Sequence, residues 1–211
     1  DHDRMAMEYG LFPLRHILKK RVERNSINKM GARLYLEEIG RVQRKYPDVI
    51  LIPGSETAPF YYWTGSYFRG DLTAHDHEKR LLTIGMNRAE DYEHLPILHN
   101  GFSTRYVKRS LPQIALFLVP LALGVYLAAW PGFYRYCGIG ICVISILLLI
   151  NTDPFRCSPF DPYHGNQGIA PYQLVIDYVS SRGGLTFWNY PETRSGLRNL
   201  GPIRVLSLIH I

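Results

Sequence analysis

The chain has 211 residues, 46% of them hydrophobic and 20% charged, with a formal charge of +6. That length holds one sizeable domain, or a smaller domain with a membrane element. Three cysteines, Cys137, Cys142 and Cys157, exclude a disulfide framework and match no metal-ligand spacing, so they read as small apolar packing groups. The basic excess is concentrated early, at Arg15, Lys19, Lys20, Arg21, Arg24, Lys29, Arg33, Arg41, Arg44 and Lys45. It reads as a solvated helical face near anionic headgroups, where each basic side chain gains roughly 1 kcal/mol, in preference to a nucleic-acid interface.

In chain order, Pro13 predicts a helix to about Arg24, since proline suits a first helical turn. Asn25-Ser26 breaks it and offers caps. From Ile27 to Arg44 one stripe carries Ala32, Tyr35, Leu36, Ile39 and Val42 with Arg and Glu opposite, which predicts an amphipathic helix. Val49-Ile50-Leu51-Ile52, ended by Pro53-Gly54, predicts a strand buried on both faces, as in parallel sheets. Leu81–Met86 has the same character, and the aromatic stretch Pro59–Phe68 between them reads as a loop. A helix over Pro171–Ser181, ending at Arg182-Gly183-Gly184, leads to a third strand at Leu185–Trp188. Helix and strand alternate on either side of an inserted apolar block, an α/β plan.

That block consists of two spans, Leu111–Trp130 and Tyr136–Ile150, separated by the turn Pro131-Gly132. About 20 apolar residues cross a bilayer, and Trp130, Phe133, Tyr134 and Tyr136 cluster where an interfacial belt belongs. A transmembrane hairpin is therefore expected, a buried soluble helical hairpin being the alternative. Arg105, Lys108 and Arg109 precede the pair and Arg156 follows it, against Arg135 alone in the connection. That bias predicts an integral membrane protein with both flanks cytoplasmic. The expected division is residues 1–110, the hairpin at 111–152 and a continuation at 153–205. The chain opens without an initiator methionine, and residues 206–211 resemble the translation of a sequencing adapter, so a gene fragment is expected.

The polar groups with chemical potential are Asp1-His2-Asp3, Glu56, His75-Asp76-His77, Asp161 with His164, and Asn189-Tyr190-Pro191-Glu192. Carboxylates and imidazoles just past strand ends are where α/β folds build sites, and they are also ordinary loop residues. On residue types alone His2 is a ligand or a surface histidine at a chain end, and Glu56 a ligand or a cap on the next turn. Gly138-Ile139-Gly140 lies in an apolar span and reads as helix packing rather than a nucleotide loop.

The order of these pieces resembles the PHP (polymerase and histidinol phosphatase) family. Asp1-His2 matches the family's T-D-H segment and Pro53–Glu56 its P-G-x-E, followed in order by Leu81–Met86 and Phe187–Glu192. The resemblance implies a partial, distorted (β/α)7 barrel carrying the hairpin, and metal-dependent hydrolysis of a phosphoester. It implies divalent zinc, manganese or iron, with His2 a terminal ligand and Glu56 a bridging carboxylate. Lipid bilayer and phosphoester are the expected partners, with no nucleic acid. The chain departs from the family pattern where members place histidine: it has Arg80 before one strand and Tyr190 before Pro191. Arginine does not ligate a cation, and its guanidinium suits a substrate phosphate instead. The family's opening H-x-H and closing D-x-H segments are absent from the chain. The rival expectation is a non-catalytic PHP-like binding or scaffolding module on a membrane anchor.

Overall fold

The computed structural model describes residues 2–98, 100–189, 195–200 and 203–208. They form a mixed α/β protein of two compact units. One comprises Asp1–Met5, Glu23–Phe102 and Cys157–Ile211; the other comprises Ala6–Val22 and Ser103–Arg156.

In the first unit, α1 (Ile27–Met30) and α2 (Ala32–Lys45) supply the amphipathic segment. Ser26 caps α1 by accepting from the Lys29 N–H, and Gly31, with φ of 103°, separates the two helices. Ala32 is buried, while Tyr35 and Leu36 pack against the core, so the predicted stripe faces inward. The strands are β3 (Gly54–Thr57), β4 (Tyr62–Thr64), β5 (Leu72–His75) and β6 (Arg80–Ile84). After the short α3 (Ala89–Glu93), this unit resumes at α6 (Ala170–Ser181), β7 (Leu185–Asn189), β8 (Ser195–Leu200) and β9 (Ile203–Leu208).

Two small open sheets result. One has the order β3-β6-β7, antiparallel throughout; the other has the order β4-β5-β9-β8, with β5 and β9 parallel. Among the described residues no barrel closes. β9 carries strand pairing through Leu208, into the closing six residues.

Three local expectations are corrected. Val49–Ile52 is not a strand: Ile50 is 85% exposed, and pairing begins only at Gly54. Its would-be partner β6 ends at Ile84, where Gly85 turns at φ of 86° and donates its N–H to the Pro53 carbonyl, so residues 49–52 have no ladder to join. Leu81–Met86 is a strand over Arg80–Ile84, but in an antiparallel sheet. The aromatic stretch contains β4 and a 3-10 turn at Tyr67–Arg69 rather than only loop.

The core gathers Ile27, Leu81, Met86, Tyr92, Leu95, Ile97, Tyr172, Val175, Tyr178 and Val179. Each such side chain contributes about 1.5–3 kcal/mol on burial. Polar stitches close it: Tyr178 donates to the Asp91 carbonyl at 3.1 Å, and Arg182 pairs with the Asp91 carboxylate at 3.1 Å. The α6–β7 segment follows its expectation closely, with Gly183 turning at φ of 77°.

In the second unit, α4 (Val107–Ala128) and α5 (Phe133–Asn151) are long and apolar enough to cross a membrane. They join at Gly132 and pack closely. A Cβ on Gly138 would lie 2.4 Å from the Ala128 nitrogen, and one on Gly124 2.8 Å from Cys142 Sγ. Small residues here let the helix backbones approach. The unit also holds β1 (Ala6–Gly10) and most of β2 (Lys19–Glu23). The helix predicted over residues 13–24 is therefore corrected to a hairpin arm. Leu11 N–H donates to the Leu18 carbonyl at 2.9 Å, and buried Glu8 pairs with Lys19 at 3.0 Å. This strand pairing across the loop outweighs the helix signal of Pro13.

Candidate functional site

The segment around His2 meets β3 through a parallel bridge between His2 and Glu56, and the Asp3 N–H donates to the Glu56 carbonyl at 3.0 Å. The start of α1 holds the other side: Ile27 N–H donates to the His2 carbonyl at 3.0 Å and Asn28 N–H to the Asp3 carbonyl at 3.1 Å. Tyr35 ties α2 to β3 by donating its hydroxyl to the Gly54 carbonyl at 2.6 Å.

Strand alternation sorts the side chains. Ser55, Thr57, Leu81 and Thr83 are buried, with Ser55 Oγ 2.9 Å from Thr83 Oγ1 and Thr57 donating to the Leu81 carbonyl at 3.2 Å. These bonds set the β3–β6 register, in which Glu56 faces Leu82, while in the β6–β7 register Arg80 faces Asn189. Glu56, Arg80 and Asn189 consequently share the opposite face.

There they form one network. His2 Nδ1 lies 3.0 Å from Glu56 Oε2, and Asn189 donates to Glu56 Oε1 at 2.7 Å. The Arg80 guanidinium, 4% exposed, places Nε 3.6 Å from Glu56 Oε1, Nη2 3.2 Å from Glu78 Oε2 and Nη1 3.3 Å from His2 Nδ1. Burial first, then the charge of Arg80, lowers the His2 pKa below its ordinary value. A neutral ring has one N–H, and the shorter contact assigns it to Nδ1, donated to Glu56. Glu78 is held down to about 2, by the neighbouring His77 imidazole foremost and by Arg80. His77 Nδ1 is 3.6 Å from Glu78 Oε1. Beside this network Asp3 is fully buried; Asn28 Nδ2 donates to its Oδ1 at 2.8 Å, and burial raises its pKa to about 7.

The sequence-predicted residues His2, Glu56 and Arg80 thus converge. Others do not join them. His75, on β5, stacks on Tyr62 at 4.7 Å and contacts Thr64 Oγ1 at 2.7 Å. Asp161 accepts from the Tyr163 N–H at 2.9 Å in a local turn. Asp1, Tyr190, Pro191 and Glu192 lie outside the described residues. Glu78 was missed by sequence reasoning, which named Asp3 beside His2 but not its burial. For Glu78 the available signal was its spacing of two before Arg80.

A zinc, manganese or iron site needs several converging donors. Among the described residues no group of three or more His, Cys, Asp or Glu side chains is placed to hold a metal ion. His2 Nδ1 is engaged by Glu56, and a fixed guanidinium already offsets Glu56 and Glu78. The described residues do not fit a divalent-metal cluster. Comparison with protein-family models, curated proteins and solved structures gives no match.

Proposed function

We propose that the chain is part of a membrane-anchored, PHP-like protein whose His2–Glu56–Arg80 cluster belongs to a non-catalytic binding or scaffolding module. The observation that carries this reading is Arg80, buried between the Glu56 and Glu78 carboxylates, where it supplies the positive charge that metal ions would otherwise provide. A permanently charged guanidinium, with five N–H donors, is in that position a structural cation. The anchor is the α4–α5 hairpin, with both flanks cytoplasmic. The support is the basic bias of Arg105, Lys108, Arg109 and Arg156 against Arg135.

A second reading keeps the metal-dependent phosphoesterase. It is favoured by the 3.0 Å approach of His2 to Glu56, the two motif-matched ligands. In it, Arg80 meets the substrate phosphate.

Metal analysis of the purified full-length protein in detergent, with hydrolysis of p-nitrophenyl phosphate, separates the two. The first reading expects neither bound metal nor metal-stimulated hydrolysis. Stoichiometric metal, with hydrolysis lost in Glu56→Gln, would establish the second. Reporter fusions at Pro131 and after Arg156 test the topology: a cytoplasmic signal at both would reject the hairpin.

A further inference from the structure

The loop between β1 and β2 is fastened to one end of the helical pair. Asn151, the last residue of α5, uses both ends of its amide: Oδ1 accepts from the His16 N–H at 2.8 Å, and Nδ2 donates to the Pro13 carbonyl at 3.1 Å. At the neck of this loop, a Cβ on Gly10 would lie 1.8 Å from the Arg15 carbonyl oxygen, so the return is closed tightly. The Ser103 N–H donates to the Phe155 carbonyl at 2.7 Å, joining the residues before α4 to those after α5 at the same end.

The side chains held there are apolar and basic. Phe12 is 79% exposed, with Leu11 and Leu18 also exposed, and the Arg15 guanidinium lies 5.5 Å from the Phe12 ring centre. Lys20 and Arg21 on β2 are exposed, as are Arg105, Lys108 and Arg109 at the start of α4. Arg105 and Arg109 lie 5.6 and 5.8 Å from the Tyr106 ring centre. The acidic residues of this unit are Glu8, which Lys19 pairs, and Asp153. Exposed apolar tips set among cations are the composition of an element that lies in a membrane interface.

We infer that the Leu11–Leu18 loop docks in the cytoplasmic headgroup layer, with Phe12 in the lipid boundary and Arg15, Lys20 and Arg21 on anionic headgroups. The inference rests on the membrane-hairpin reading above, because Asn151 sets the loop at the depth where α5 ends. Its occupant is anionic phospholipid, chosen by charge complementarity and by continuity with two helices that lipid surrounds.

The test uses full-length protein in nanodiscs of phosphatidylcholine with or without phosphatidylserine. Benzoylphenylalanine is placed at position 12, or at position 126 of α4 as a hairpin control, and lipid adducts are identified by mass spectrometry after illumination. Lipid adducts at both positions, with phosphatidylserine preferred at position 12, are expected. Arg15→Gln combined with Lys20→Gln and Arg21→Gln should cut that preference roughly fivefold or more while position 126 is unchanged. Asn151→Ala should lower the position-12 yield alone. Adducts at position 126 without any at position 12 would overturn the loop inference and leave the hairpin standing. Absence of adducts at both would overturn the hairpin and the loop together. A position-12 yield indifferent to phosphatidylserine and to the three glutamines would overturn the anionic-lipid assignment.

Discussion

His2 Nδ1 stands 3.0 Å from Glu56 Oε2, and backbone brings the two together. The bridge between these residues, with the Asp3 N–H on the Glu56 carbonyl, holds the imidazole against the carboxylate before any side-chain attraction acts. A ring placed this way donates from Nδ1, and its Nε2 carries the lone pair. What the pair does then depends on Arg80, the third member.

Arg80→Lys is expected to destabilise the protein by about 1–3 kcal/mol despite preserving the charge. Lysine offers one ammonium, whereas the guanidinium spans both Glu56 and Glu78 from separate nitrogens, at 3.6 and 3.2 Å. Arg80→Met should cost more, about 3–5 kcal/mol, because it leaves two carboxylates facing each other without a cation. Thermal unfolding in detergent measures both, and an Arg80→Lys variant as stable as wild type would refute the bridging of both carboxylates.

Glu56→Gln should destabilise more mildly, by about 1–2 kcal/mol. Arg80 keeps Glu78, and Glu56 is partly solvated, which screens its pairings. The His2 resonance carries the specific signature: removal of the Glu56 charge should lower its already lowered pKa further, measured by NMR titration in a detergent micelle. An upward move would place the stabilising charge elsewhere.

Asp3 supplies a pH dependence. Burial raises its carboxyl from 3.8 to about 7, so across that window the folded state keeps a proton the unfolded state has lost. Stability contributed by this group therefore falls as pH rises from about 4 to 7 and is level above. Asp3→Asn should remove that slope. The variant is expected to gain on wild type by up to ~4 kcal/mol between pH 4 and pH 8, read from unfolding midpoints at the two values. Parallel curves for both proteins would contradict an uncharged Asp3.

Within the helical pair, Gly138→Ala and Gly140→Ala should behave oppositely. A Cβ at 138 meets the Ala128 nitrogen at 2.4 Å, whereas one at 140 meets nothing within 4 Å. The first should cost about 1–3 kcal/mol through forced separation of backbones. The second should be neutral, or stabilising by up to ~1 kcal/mol from helix propensity. Thermal stability in detergent distinguishes them, and equal effects would refute the close crossing at Gly138.

The two long helices were legible in the sequence because unbroken apolar runs are local, and their backbone hydrogen bonds close within each segment. The stripe of α2, the Ser26 cap and the glycine stop of α6 were legible for the same reason: each is written within a few turns. Tertiary structure decided the strands. Residues 19–23 became β2 because residues 6–10 pair with them, and residues 49–52 stayed unpaired because β6 turns away at Gly85. Strand pairing needs a second segment, and the pattern of one segment read by itself does not reveal whether its partner is there. The cluster shows the same divide. The motif order singled out His2, Glu56 and Arg80, but only the fold set the guanidinium against both carboxylates. Whether a carboxylate recruits a metal ion or an arginine depends on which positive charge reaches it at about 3 Å, and that distance exists only once β3, β6 and β7 have aligned.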